Sequence, residues 1–219
     1  NQYPSVAWVQ GAATGKYKIK YPFHISEYAH SMGNAVGNLA DYWEAIESSN
    51  FICGGAIWDW VDQAIYNYTP DGTRYEAYGG DFGDFPNDGQ FVMNGIIFAD
   101  RTPKPQYYEV QKVYQNIGVK MLSYDTFEIK NKAYFEPLEG YEGVWKLYRN
   151  GELVEERSFN LSPLKAQLKG KVTIKPKRLD SNAEYYVVLE FRQAADRPWA
   201  PKGFVQAREQ FRIQEANNL

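Results

Sequence analysis

The stretch YPFHISEYAHSMGNAVGNLADYWEAIESSNFICGGAIW, residues 21–58, decides the fold of the first half of this chain. "FHISEY" is a short apolar run opened by Pro22, which reads as a strand. After "SMGN", the residues Val36, Leu39, Ala40, Trp43 and Ile46 follow the spacing of one buried helical stripe. Asn34 is the expected N-cap, and "SSN" at 48–50 closes the helix. "FICGGAIW" then reads as a strand buried on both faces, with paired glycines that allow close backbone approach. Strand, helix and strand in this order make a βαβ unit, whose parallel strands imply a larger sheet or barrel.

Working outward, a long segment from about residue 67 to 104 is rich in Gly, Asp, Asn and Pro, and "KPQYYEVQKVYQNI" predicts a helix after it. Loops of that length in a compact domain are usually functional. Its acidic part, "YGGDFGDFPNDGQFVMNG" at 78–95, fails the calcium-loop pattern. From Asp84 the third position is Pro86, and no Glu stands at the twelfth. No G-K-[ST] follows its glycines and no G-x-S-x-G elbow exists, so a phosphate loop and a serine-hydrolase elbow are both excluded.

The second half changes habit. "TFEIKNKAYF", "KVTIK", "EYYVVLEF" and "FVQAREQFRI" alternate with period two, and Tyr185, Val187, Leu189 and Phe191 share one face with Glu190 and Arg192 on the other. In "VWKLYRNGELVEERSF", Asn150-Gly151 lies between two strand-like runs and predicts a type I′ hairpin. About seven strands in roughly 100 residues read as an immunoglobulin-like sandwich. Residues 1–117 carry 7 Lys and Arg against 13 Asp and Glu, while residues 118–219 carry 17 against 14. The first part also holds 22 of the 36 aromatic residues. Two domains are expected, 1–117 and 118–219.

The net charge of −3 supplies no basic excess to neutralise phosphates, so no nucleic-acid partner is expected. No apolar run approaches the ~20 residues of a membrane span. The single Cys53 lies in an apolar run and is expected to be a buried, inert thiol. The chain begins with Asn1 rather than Met, which reads as a processed product or a fragment.

The candidate chemistry collects where the strands end. Glu27 closes the first strand and Trp58 the second, and those ends form the active face of a parallel α/β sheet or barrel. By position alone Glu27 is either a reacting carboxylate or a solvated, helix-capping acid. His30 and Trp58, each taken alone, read equally as packing residues. Carboxylates, rings and polar loop groups together suit sugar chemistry: rings stack on a pyranose face while carboxylates handle hydroxyls and the anomeric centre.

The blocks "SEYAHSMGN", "GGAIWDWVDQ" and "YGGDFGDFPNDGQFVMNGIIFADRTPKP" closely resemble consecutive blocks of the large bacterial β-galactosidases of glycoside hydrolase family 2. The resemblance runs from about residue 22 to 115 and continues weakly through the second half. It implies the last βα units of a (β/α)₈ barrel followed by the sandwich. It also implies a retaining double displacement through a covalent galactosyl-enzyme, with a β-galactoside as substrate. By resemblance Glu27 is the nucleophile, His30 contacts the galactose, and Trp58 floors the galactose subsite. Asn94 and the Phe91 carbonyl form part of a sodium site at the sugar's 6-hydroxyl, and Asn87 is a ligand of a peripheral magnesium. The family's acid/base Glu follows an Asn in an upstream block, yet this chain contains no Asn-Glu dipeptide. The expectation is therefore half of an active site, completed by the remaining domains of a parent chain that is itself a homo-oligomer. The competing expectations are a non-catalytic carbohydrate-binding or scaffold module and an immunoglobulin-like interaction domain with a disordered leader.

Overall fold

A computed structural model describes residues 2–161 and 163–217, in two compact units that part between Val113 and Tyr114. The first unit is built around the βαβ element. Strand β1 (Phe23–Tyr28), helix α2 (Leu39–Glu47) and strand β2 (Ile52–Ile57) follow in that order. β1 and β2 pair in parallel, with Phe23 opposite Ile52, Ile25 opposite Gly55 and Tyr28 opposite Ile57. Helix α1 (Val6–Ala13) precedes them, capped by the Ser5 hydroxyl accepting from the Trp8 N–H at 3.2 Å. Helix α3 (Pro105–Val113) closes the unit. One apolar core collects Val9 and Ala12 of α1, Ile25 and Tyr28 of β1, Leu39, Ala45 and Ile46 of α2, Ile52 of β2 and Val110 of α3.

Three local expectations change. α2 begins at Leu39, not after Asn34, because Val36 and Asn38 adopt φ values of 65° and 60°. Those left-handed residues cannot belong to a right-handed helix, so the N-cap is Asn38. Val36, Leu39 and Ile46 are buried as the stripe requires, but Ala40 faces solvent. β2 is not buried on both faces. Gly54 is buried toward Trp43 of α2, whereas Cys53 is an exposed thiol and Ala56 is exposed as well. Finally, the segment 67–104 is not all loop: a hairpin, β3 (Ile65–Tyr68) and β4 (Arg74–Ala77), occupies its start. Beyond β4 the chain is irregular up to α3.

Among its described residues the second unit carries seven strands in two antiparallel sheets. β11 (Val205–Gln214), β10 (Tyr185–Gln193), β7 (Tyr141–Arg149) and β8 (Glu152–Phe159) form one, in that spatial order. β5 (Ile117–Met121), β6 (Thr126–Asn131) and β9 (Lys169–Thr173) form the other. Their apolar faces meet in one core of Ile117, Phe127, Ile129, Trp145, Leu147, Val187, Leu189 and Phe191. The predicted alternation of β10 holds: Tyr185, Val187, Leu189 and Phe191 are all inside. Glu190 lies on the outer face, where Lys146 Nζ donates to it at 2.9 Å and Arg192 Nε at 2.8 Å. Asn150 and Gly151 take φ of 48° and 86°, the two positive values a type I′ turn needs. The Asn150 side chain also accepts from the Glu184 N–H at 2.9 Å, tying the turn to the start of β10.

Candidate functional site

Everything predicted for the site except Asn87 converges at the ends of β1 and β2. The pairing of β1 slips between Ile25 and Tyr28, and Glu27 lies within that slip, half-buried. Gln2 Nε2 donates to Glu27 Oε1 at 3.1 Å, and the Tyr3 N–H donates to the Glu27 carbonyl at 2.8 Å. The Tyr3 hydroxyl also bonds the Glu27 carboxylate. Partial burial, that bond, and the charges of Glu27 and then Asp59 push the Tyr3 phenol up to about 12. A phenol so held keeps its proton at neutral pH and stays a donor to the carboxylate.

His30 follows β1 directly. Its ring stacks on Phe91 with centroids 5.3 Å apart and stands 6.1 Å from the ring of Tyr3. Its Nε2 is buried, and among the described residues it has no hydrogen-bond partner. A buried imidazole nitrogen without a partner is costly unless a ligand satisfies it.

Trp58 follows β2 immediately, with 36% of its surface exposed. Its backbone links the strand ends, accepting from the Ser31 N–H at 2.7 Å and donating to the Tyr28 carbonyl at 3.1 Å. The next residue, Asp59, donates its N–H to the Asn94 carbonyl at 2.7 Å, which brings the far loop to the same place. Asn94 is only 3% exposed, its Nδ2 donates to the Phe91 carbonyl at 3.3 Å, and its Oδ1 is buried with no hydrogen-bond partner among the described residues. A sugar hydroxyl and a hard cation are both chemically suited to that orphaned oxygen.

Metal capacity within this chain is small. No group of three or more His, Cys, Asp and Glu among the described residues could hold an ion. Asn94 Oδ1 and the Phe91 carbonyl are oxygens of the kind a hard cation takes, and a full shell would need further oxygens from elsewhere. Asn87 lies apart from the site, in its own loop. Its Oδ1 accepts from the Gly89 N–H at 3.0 Å and its Nδ2 donates to the Asp84 carbonyl at 2.9 Å. Its amide is engaged in holding that loop against Gly79, where an added Cβ would stand 2.8 Å from Asn87 Cβ.

Gln2 and Tyr3 escaped the sequence reading. They reach Glu27 across 25 and 24 residues respectively, and no local pattern marks such contacts. The cue at hand was the aromatic excess of the first half, which is not specific to a position.

Comparison with known proteins follows the same division of the chain. Residues 2–119 match the family model described as "Glycosyl hydrolases family 2, TIM barrel domain", and residues 127–214 match "Beta-galactosidase, domain 4". A protein named beta-galactosidase from Priestia megaterium is 41% identical over 216 residues, covering 94% of this chain and 21% of that protein. A second of that name, from Yersinia pestis bv. Antiqua, is 38% identical over 196 residues, covering 88% of this chain and 19% of its own length. The chain thus spans about a fifth of the length of these curated relatives. Among solved structures, Bacteroides uniformis beta-glucuronidase 2 aligns with 98% of this chain and 25% of its own, at 12% identity and a TM-score of 0.32, too low to bear on the fold. On the barrel-domain match, which covers more than half of its residues, this chain belongs to glycosyl hydrolases family 2.

Proposed function

We propose that this chain carries the nucleophile of a retaining β-galactosidase, while the acid/base comes from another part of the protein. Residues 1–117 are read as the last βα units of a (β/α)₈ barrel and residues 118–219 as an immunoglobulin-like sandwich. One observation carries the reading: the Glu27 carboxylate, the orphaned His30 Nε2, the exposed face of Trp58 and the orphaned Asn94 Oδ1 belong to one connected group at the strand ends. A carboxylate, two polar groups able to take hydroxyl partners, and a ring for a pyranose face are what a glycosyl subsite needs.

In the proposed chemistry a Glu27 oxygen attacks the anomeric carbon as the bond to the leaving oxygen breaks. The absent acid, about 5–5.5 Å from Glu27, protonates that oxygen. The same group, now a base, activates a water that attacks the anomeric carbon, releases galactose with retained configuration and frees Glu27. Tyr3 and Gln2 hold Glu27 by donating to it, and His30 and Asn94 bind the sugar. A sodium ion, when bound at Asn94 and the Phe91 carbonyl, would add a positive centre for a sugar oxygen. A magnesium ion at Asn87 would need most of its ligands from elsewhere, and no step depends on it. The partners of this reading are a β-galactoside, the rest of the enzyme and further copies of it.

The test is Glu27→Gln in the complete enzyme. An amide accepts hydrogen bonds but forms no glycosyl ester, so kcat should fall about 10⁴-fold or more with KM little changed. Retention of more than a few per cent of kcat would refute the nucleophile assignment. The carbohydrate-binding alternative predicts galactoside binding without turnover in the complete protein, which the same assay separates.

A further inference from the structure

Next to Asn94 lies a buried ion pair that nothing in the proposed chemistry uses. Asp62 is 3% exposed and Lys104 8%, and Lys104 Nζ meets Asp62 Oδ1 at 2.6 Å. The same Oδ1 accepts the Gly95 N–H at 2.8 Å, so both donors converge on one oxygen. The second oxygen, Oδ2, is buried and has no partner among the described residues. For stability alone this is a poor arrangement, since a half-satisfied buried carboxylate costs more than an apolar pair of the same volume. What it does achieve is a hold on one peptide group.

That peptide group follows Asn94. Gly95 is gripped on both sides: its N–H by Asp62, and its carbonyl by the Ser31 hydroxyl at 3.2 Å. Ser31 is in turn the neighbour of His30, and Gln106 Nε2 donates to its hydroxyl at 3.2 Å. The fit allows no slack. A Cβ on Gly95 would stand 2.2 Å from the Asp62 nitrogen and 2.6 Å from the Ile97 carbonyl oxygen. Backbone bonds extend the clamp on either side, from the Ile96 N–H to the Asp59 carbonyl at 3.0 Å and from the Asp62 N–H to the Ile97 carbonyl at 3.1 Å. Lys104 completes it, because its own N–H donates to the Ile96 carbonyl at 3.2 Å.

We propose that Asp62, held by Lys104, is a positioning residue that fixes Asn94 relative to His30 through Gly95 and so sets specificity for the sugar group that Asn94 contacts. The proposal rests on the reading of Asn94 as a contact of the galactoside's 6-hydroxyl. Misplacing a contact by a fraction of an ångström selectively weakens recognition of the group it serves.

The test compares kcat/KM for a nitrophenyl β-galactoside with that for its 6-deoxy analogue, in the complete enzyme. Asp62→Ala should lower the preference for the 6-hydroxyl about tenfold, through KM rather than kcat. Asp62→Asn, which keeps an acceptor for the Gly95 N–H, should retain most of the preference. Should Asp62→Ala fail to fold, the double variant Asp62→Leu/Lys104→Met removes both charges and the acceptor together, and the same loss is expected. An unchanged preference in Asp62→Ala or the double variant, with only stability lowered, would overturn the proposal. Asn94→Ala serves as the reference. If it abolishes the preference while the Asp62 variants keep it, only the positioning role fails; if it leaves the preference intact, the reading of Asn94 fails and the proposal with it.

Discussion

At the scale of single residues, the site is a set of groups left with unmet bonding capacity. Among the described residues, His30 Nε2 and Asn94 Oδ1 are buried without hydrogen-bond partners, two of the few interior polar atoms so left. Tyr3 is the reverse, a donor committed to Glu27 with its phenol pushed up to about 12. A group whose folded value lies above the ordinary 10.0 favours the folded state as long as it keeps its proton. That contribution is whole below pH 10 and is lost as pH rises from 10 toward 12. Denaturant unfolding at steps across this window should show a steeper loss of stability in the wild type than in Tyr3→Phe. Parallel curves would mean that the phenol does not bond Glu27. The candidate residues were legible because their spacing is local: Glu27 and His30 lie three apart at a strand end. Tyr3 was not, because its contact depends on the chain returning to β1 through α1.

At the scale of elements, legibility followed whether a local rule met a tertiary one. In β10 the two agree, and Val187, Leu189 and Phe191 are fully buried as alternation predicts. Asn150-Gly151 likewise forms its turn because the dipeptide tolerates positive φ where other residues do not. Gly151→Ala, at φ 86°, should cost about 1–2 kcal/mol, read as a shifted denaturant midpoint at unchanged slope. A cost near zero would contradict the turn assignment. The same signal stood unread at Asp71-Gly72, between β3 and β4, since the surrounding polar residues look like loop. The start of α2 was misplaced for the opposite reason. Val36 belongs to the apolar stripe and is buried, yet it reaches the core from a left-handed turn rather than from the helix. Periodicity registers which residues face inward, not the backbone that delivers them. β2 shows a further limit, because an apolar run such as "FICGGAIW" does not say how many of its faces will be covered.

At the scale of the whole molecule, the two units differ in how their sheets are closed. β10 is flanked by β7 and β11, and its side chains lie in the core between the sheets. Among the described residues β1 and β2 form a two-stranded parallel pair, extended beyond β1 by the bridge between Gln2 and Glu27. Open parallel edges are a liability, although the inward face of α2 is covered: Leu39 and Ile46 are buried beside residues of α1 and α3. Hydrogen exchange on the chain should therefore find the amides of β10 the most protected and those of β1 and β2 much less so. Equal protection would show that the parallel pair is stable without further strands. The charge contrast between the halves was visible in composition; which strands pair was not, because pairing is decided by contacts far apart in sequence. The central claim, that Glu27 is the atom donor of a covalent glycosyl-enzyme, is tested most directly by mechanism-based labelling. The complete enzyme is incubated with a 2-deoxy-2-fluoro-β-galactosyl fluoride, whose leaving group needs little protonation, and digested for peptide mass mapping. The account predicts one fluorogalactosyl group, on the peptide containing "HISEYAH", located to Glu27 and absent from Glu27→Gln. A label on any other carboxylate would contradict it.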